Sequence, residues 1–115
     1  MNFHISEIDG VNIFSFNESK LDTTCSGLLK AELTNLISNN NIKKLVIDLS
    51  EIETCDSSGL SALLVANRLI SSNDGIVIFV SESAKLIQLI KVTQLNRVLN
   101  VSNTISEAVS KINNK

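Results

Sequence analysis

Proline, tryptophan and tyrosine are absent from this 115-residue chain, which has only four phenylalanines, four glycines and one histidine. With so few aromatics, an interior has to be assembled from Leu, Ile and Val. The two cysteines, Cys25 and Cys55, lie in apolar patterns without metal-ligand spacing, so neither a disulfide framework nor a zinc site is expected. No apolar run approaches the roughly 18 residues of a membrane span. The opening "MNFHISEIDG" lacks the basic and apolar regions of a secretory signal. Neither charge dominates, since 10 basic and 12 acidic residues leave a net charge of −2. That balance offers no electrostatic case for nucleic acid or for an anionic membrane. Lys43 and Lys44, the only adjacent basic pair, read as a solvated start to a strand. The expectation is one soluble, cytoplasmic domain over residues 1–115, free of disulfides.

What is present is regular. Hydrophobic residues make up 43% and charged residues 19%, an ordinary globular composition. Residues 3–8 and 11–16 alternate apolar and polar around Asp9-Gly10, a strong hairpin signal. Beyond "NESK", Asp22 or Thr23 can cap a helix whose core stripe is Cys25, Leu28, Leu29, Leu33, Leu36 and Ile37, stopped by "SNNN". Residues 44–49, "KLVIDL", and 76–80, "IVIFV", are dense in β-branched and aliphatic residues, as strands covered on both faces are. Between them a helix follows "DSSG", with Ala62, Leu63, Ala66, Leu69 and Ile70 on one stripe, and Asn73-Asp74-Gly75 ends it. Ser81 or Ser83 starts a third helix carrying Leu86, Ile87, Leu89 and Ile90. Val98-Leu99 is expected as a short edge strand, and Ser102 or Asn103 as the cap of a last helix with Ile105, Ala108, Val109 and Ile112 inward. This alternation predicts an α/β fold: an N-terminal β-hairpin leading into a mostly parallel four- to five-stranded sheet with about four helices.

In a parallel sheet, the segments leaving the strands' carboxyl ends collect at one edge, where ligands usually bind. Three such segments occur: Asp22-Thr23-Thr24, Asp56-Ser57-Ser58-Gly59 and Ser81-Glu82-Ser83. Helix capping explains each of them. The central one holds more than a cap needs. Ser57 or Ser58 alone could satisfy the free N–H groups, and Gly59 in the first turn weakens the helix by about 1 kcal/mol relative to Ala. A bare backbone there would let another molecule approach the serines. A phosphate on this turn would bring a charge of about −1.5 to −2, tolerated by the helix N-terminus and opposed by Asp56. The chemistry on offer is a charge switch supplied from outside. Intrinsic catalysis is not expected. A serine nucleophile needs a positioned base, the one histidine, His4, lies in the distant hairpin, and Cys55 has no activating cation.

Residues 44–69, "KLVIDLSEIETCDSSGLSALLVANRL", closely resemble the central strand, turn and helix of STAS domains, specifically those of bacterial anti-sigma factor antagonists. More weakly, "SKLDTT" resembles the family's approach to its first helix, with Ser19 where glycine is usual. "LIKVTQLNRVLNVSNTISEAV" resembles its closing segment, with Gln94 where glycine often precedes the leucine. The resemblance implies a STAS-like fold and a signalling role without a cofactor. Ser57 would be phosphorylated by a partner that is both anti-sigma factor and GHKL-type serine kinase, and a PP2C-type phosphatase would reset it. Unphosphorylated protein would bind that partner and free a sigma factor. Asp56, Ser58 and Gly59 carry over as motif neighbours, Asp22 as a rim residue with Thr23 beside it, and the free chain would be a monomer. A kinase reaching Ser57 must also cover the adjoining helix, so Leu60, Ser61, Leu64 and Arg68 are candidate contacts. Leu60 and Leu64 fit equally well as the end of the core stripe. Two other readings remain: a constitutive STAS scaffold in a lipid-transport ATPase complex, and, ranked last, a hydrolase using Ser57.

Overall fold

The structure is a computed structural model that describes residues 1–114; Lys115, the last residue of the expected domain, lies outside the described residues. Strands β1 (Phe3–Ile8) and β2 (Val11–Phe16) pair antiparallel with Ile8 opposite Val11. Asp9 at φ 51° and Gly10 at φ 81° make the two-residue turn between them, so the hairpin expected from Asp-Gly forms. Strands β3 (Lys20–Leu21), β4 (Lys44–Asp48), β5 (Thr54–Cys55), β6 (Ile76–Val80) and β7 (Val101–Ser102) follow, with helices α1 (Ser26–Thr34), α2 (Ser57–Ser72), α3 (Ala84–Val92) and α4 (Ile105–Asn113). The main sheet has the order β1-β2-β4-β6-β7, parallel except for β1.

The apolar runs of β4 and β6 are explained by cover on both faces. Phe14, Phe16, Leu45, Ile47, Val77 and Phe79 point into a core completed by α1, α2 and α3. Their alternating neighbours Val11, Ile13, Val46, Ile78 and Val80 point the other way, under Ala108, Val109 and Ile112 of α4. Leu29, Leu33, Leu36 and Ile37 are buried as the helical stripe predicts. Leu28 is not: it is 56% exposed, one position off the narrow stripe that faces the sheet.

Four local expectations change. Asp22 and Thr23 do not cap α1, because the helix begins later, at Ser26, and Cys25 at its N-cap makes no side-chain capping bond, its Sγ donating instead to Lys20 O at 3.5 Å. The Asp22 carboxylate instead closes a turn, accepting from Thr24 N–H at 3.0 Å and Thr24 Oγ1 at 2.5 Å. The last helix is capped by Thr104, whose hydroxyl accepts from Glu107 N–H, rather than by Ser102 or Asn103. Val98-Leu99 is not the edge strand: a 3-10 turn at Leu95–Arg97 moves that strand on to Val101–Ser102. Lys43 and Lys44 do more than meet solvent, since Lys43 Nζ donates to Asn73 O at the end of α2 and Lys44 Nζ to Asn113 Oδ1 at the end of α4. Cations placed there complement the helix dipoles.

The two glycine replacements behave differently. Gln94 takes φ 62°, the left-handed conformation that glycine adopts without strain. Ser19 is not among the residues of positive φ, so serine fits its turn.

Candidate functional site

A ribbon too short to leave a periodic signal builds the site. Lys20 and Leu21 of β3 run parallel to Thr54 and Cys55 of β5, with Leu21 opposite Cys55. Ser19 O accepts from Glu53 and Thr54 N–H at 2.7 and 3.2 Å, and Leu21 O accepts from Asp56 N–H at 3.1 Å. Two chain segments more than thirty residues apart therefore leave the ribbon side by side: Asp22-Thr23-Thr24 and Asp56-Ser57-Ser58-Gly59. The third expected segment, Ser81-Glu82-Ser83, precedes α3, which packs against β5. Its serines serve the backbone: buried Ser81 accepts from Ser83 N–H at 3.1 Å, and Ser83 caps α3 by accepting from Leu86 N–H at 3.3 Å.

At the central turn, the cap is neither serine. Asp56 has extended backbone and occupies the N-cap of α2, its Oδ1 accepting from Gly59 N–H at 3.0 Å. The same oxygen accepts from Ser58 Oγ at 2.6 Å, so the Ser58 hydroxyl is held. Ser57, the first helical residue, is exposed, and its hydroxyl makes none of the side-chain hydrogen bonds found among the described residues. An unencumbered hydroxyl at a helix N-terminus is left facing solvent.

Gly59 has a different reason from the one expected. It is buried, and a Cβ built there would lie 2.6 Å from Leu21 O and 2.8 Å from Cys55 Sγ. The bare backbone lets α2 press against the ribbon; it does not open the serines to a visitor. Leu60 is likewise corrected. At 5% exposure it belongs to the core and is withdrawn as a contact surface. Leu64 is half-buried against the same core, Ser61 is half-buried, and Arg68 is exposed.

Electrostatically the turn is acidic. The Ser58 hydroxyl, then the Gly59 N–H, hold the Asp56 carboxyl below its ordinary range. The Thr24 hydroxyl and N–H do the same for Asp22, against the opposing charge of Asp56. Each carboxylate is thus ionised and committed to its own turn. Burial pushes the Cys55 thiol up to about 11, with Asp56 adding to the effect, so this sulfur is a packing group at neutral pH. His4 sits on edge strand β1, its Nδ1 3.1 Å from Asn17 Nδ2, and no catalytic base is delivered to Ser57 by it.

Fold and turn together define a class: a small α/β domain whose parallel-strand ends present one free serine beside two ionised carboxylates. The chain belongs to the STAS domain family, whose profile matches residues 2–108. A candidate anti-sigma factor antagonist of Thermotoga maritima is 29% identical over 108 residues, spanning 94% of this chain and 95% of the relative. The crystal structure of such a protein from that organism superposes with a TM-score of 0.85 at 26% identity, covering 96% of this chain and 94% of the other. The anti-sigma factor antagonist SpoIIAA in its unphosphorylated form gives a TM-score of 0.81 at 16% identity, covering 99% and 98%. The Bacillus SpoIIAA structure in the phosphorylated form gives 0.72 at 16%, covering 96% and 99%. The SpoIIAA likenesses establish fold.

Proposed function

We propose that this protein is an anti-sigma factor antagonist switched by phosphorylation of Ser57. In the unphosphorylated state it binds an anti-sigma factor that is also a GHKL-type serine kinase, freeing a sigma factor. Transfer of the γ-phosphoryl group of the kinase's ATP to Ser57 Oγ, with loss of the hydroxyl proton, releases the partner. Hydrolysis by a PP2C-type phosphatase restores the hydroxyl.

The observation that carries this reading is the division of labour within "DSSG": Asp56 caps, Ser58 is bound to Asp56, and Ser57 is exposed and uncommitted. A phosphate there adds about −1.5 to −2 charge next to the Asp22 and Asp56 carboxylates. That charge repels an acidic partner surface docked over the turn and costs desolvation beneath an apolar one. Thr23, Ser61, Leu64 and Arg68 flank the serine on the turn and on α2, and with Asp22 they form the proposed contact rim. In the scaffold alternative the serine turn only caps the helix or packs against an ATPase; Asp56 takes the cap, and copurification with an ATPase without phosphorylation of Ser57 would favour that reading.

The test is incubation with the candidate kinase and ATP, followed by peptide mapping. Phosphate on Ser57, retained partner binding by Ser57→Ala and lost binding by Ser57→Asp are expected. Phosphate confined to Ser58 or Thr23 would refute the assignment, as would undiminished binding by Ser57→Asp.

A further inference from the structure

The main sheet ends differently on its two sides. At one edge β7 is a two-residue strand, too short to template another chain. At the other, β1 offers six residues in unbroken register with β2, without a bulge, a proline or a lysine. Those are among the devices that protect a strand edge, and the one acidic side chain on β1, Glu7, lies next to its end. Asn2 O accepts from Asn17 N–H, so the even-numbered residues turn their backbone groups toward β2. By alternation, the N–H and C=O groups of Phe3, Ile5 and Glu7 point outward. Two large apolar side chains lie on this strand in the open, Ile5 at 47% and Ile8 at 43% exposure.

We infer that β1 is a self-association edge, pairing antiparallel with β1 of a second copy about a two-fold axis through Ile5. A free row of backbone donors and acceptors is complemented by an extended strand, and this strand complements itself. In that register Ile5 faces Ile5 of the other copy, Phe3 faces Glu7 and His4 faces Ser6. The two Glu7 carboxylates then stand four residues apart, about 14 Å at about 3.4 Å per residue, so no like charges oppose each other. The chain's net charge of −2 adds little long-range repulsion between copies. Because β7 cannot extend the sheet, the contact closes as a dimer and does not propagate. It is lateral to the Ser57 turn and does not depend on the switching function. One strand pair buries less than the roughly 800 Å² per partner of a standard interface, so the dimer is a weak, reversible one superimposed on the monomer.

Sedimentation equilibrium from about 10 μM to about 1 mM, the range in which so small an interface shows, is expected to give concentration-dependent dimerisation. Amide NMR shifts on dilution should concentrate at Phe3, Ile5 and Glu7. Ile5→Lys and, separately, Ile5→Pro, which removes an outward N–H without taking a bond from the β1–β2 ladder, should abolish the dimer while the thermal transition persists. A chain that stays monomeric throughout overturns the inference. So does a dimer whose shifts map to α3 or β7, or one that survives both substitutions. Shifts at the β1 amides induced only by a partner protein would assign the edge to that partner and overturn it as well.

Discussion

At the residue scale, the turn is governed by which oxygen bonds which N–H group. Asp56 takes the cap and holds Ser58, and that leaves Ser57 free. The four-residue motif was visible in the sequence, but the choice of cap was not, because Asp, Ser and Ser are all good caps and only backbone dihedrals separate them. The depressed Asp56 carboxyl has a consequence for acid stability. A carboxyl whose folded pKa lies below its unfolded value of about 3.9 stabilises the fold above that pH, and the contribution is lost as pH falls toward the folded value. Asp56→Asn keeps a capping oxygen but removes the titration. Urea denaturation of the two proteins should give similar midpoints at neutral pH and a shallower fall for Asp56→Asn below about pH 4. Parallel curves would remove Asp56 from the acid response.

At the element scale, the β3–β5 ribbon decides the site's position. Two residues per strand carry no periodicity, so the pairing of Lys20–Leu21 with Thr54–Cys55 was illegible in sequence, although both flanking turns were read. Gly59 was read as an opening for a visitor and proves to be the contact between α2 and this ribbon. Gly59→Ala sets a gain of about 1 kcal/mol in helix propensity against a clash with the Leu21 carbonyl. Overpacking of that kind costs about 1–3 kcal/mol, so net destabilisation is expected in urea melts. A stabilised variant would mean that the ribbon yields without cost.

At the scale of the whole molecule, the sheet is buttressed unequally. Three helices cover one face, and α4 alone closes the other through Ala108, Val109 and Ile112. Ile112→Ala should cost about 2–5 kcal/mol, as removal of a buried aliphatic side chain does. Because both cores share β4 and β6, the loss should appear as one cooperative transition shifted down, with near-ultraviolet and helix signals coincident. Early melting of α4 alone would show the two cores to be independent. The strand pattern forecast both covered faces. It did not reveal that β1 would be left with an open edge, because edge position depends on the order of strands and not on any one strand's residues.

The sequence by itself determined the α/β alternation, the hairpin, the two central strands and the serine turn, since each is written in local periodicity and turn chemistry. Tertiary structure alone decided that Asp56 is the cap, that Leu60 is buried while Leu28 is exposed, and that Asp22 stands beside Asp56. The cap follows from the backbone dihedrals at Asp56, whose N–H is bonded to Leu21 O, and the meeting of Asp22 with Asp56 from pairing between segments more than thirty residues apart. Such contacts are fixed by close packing, which a pattern along one chain does not record.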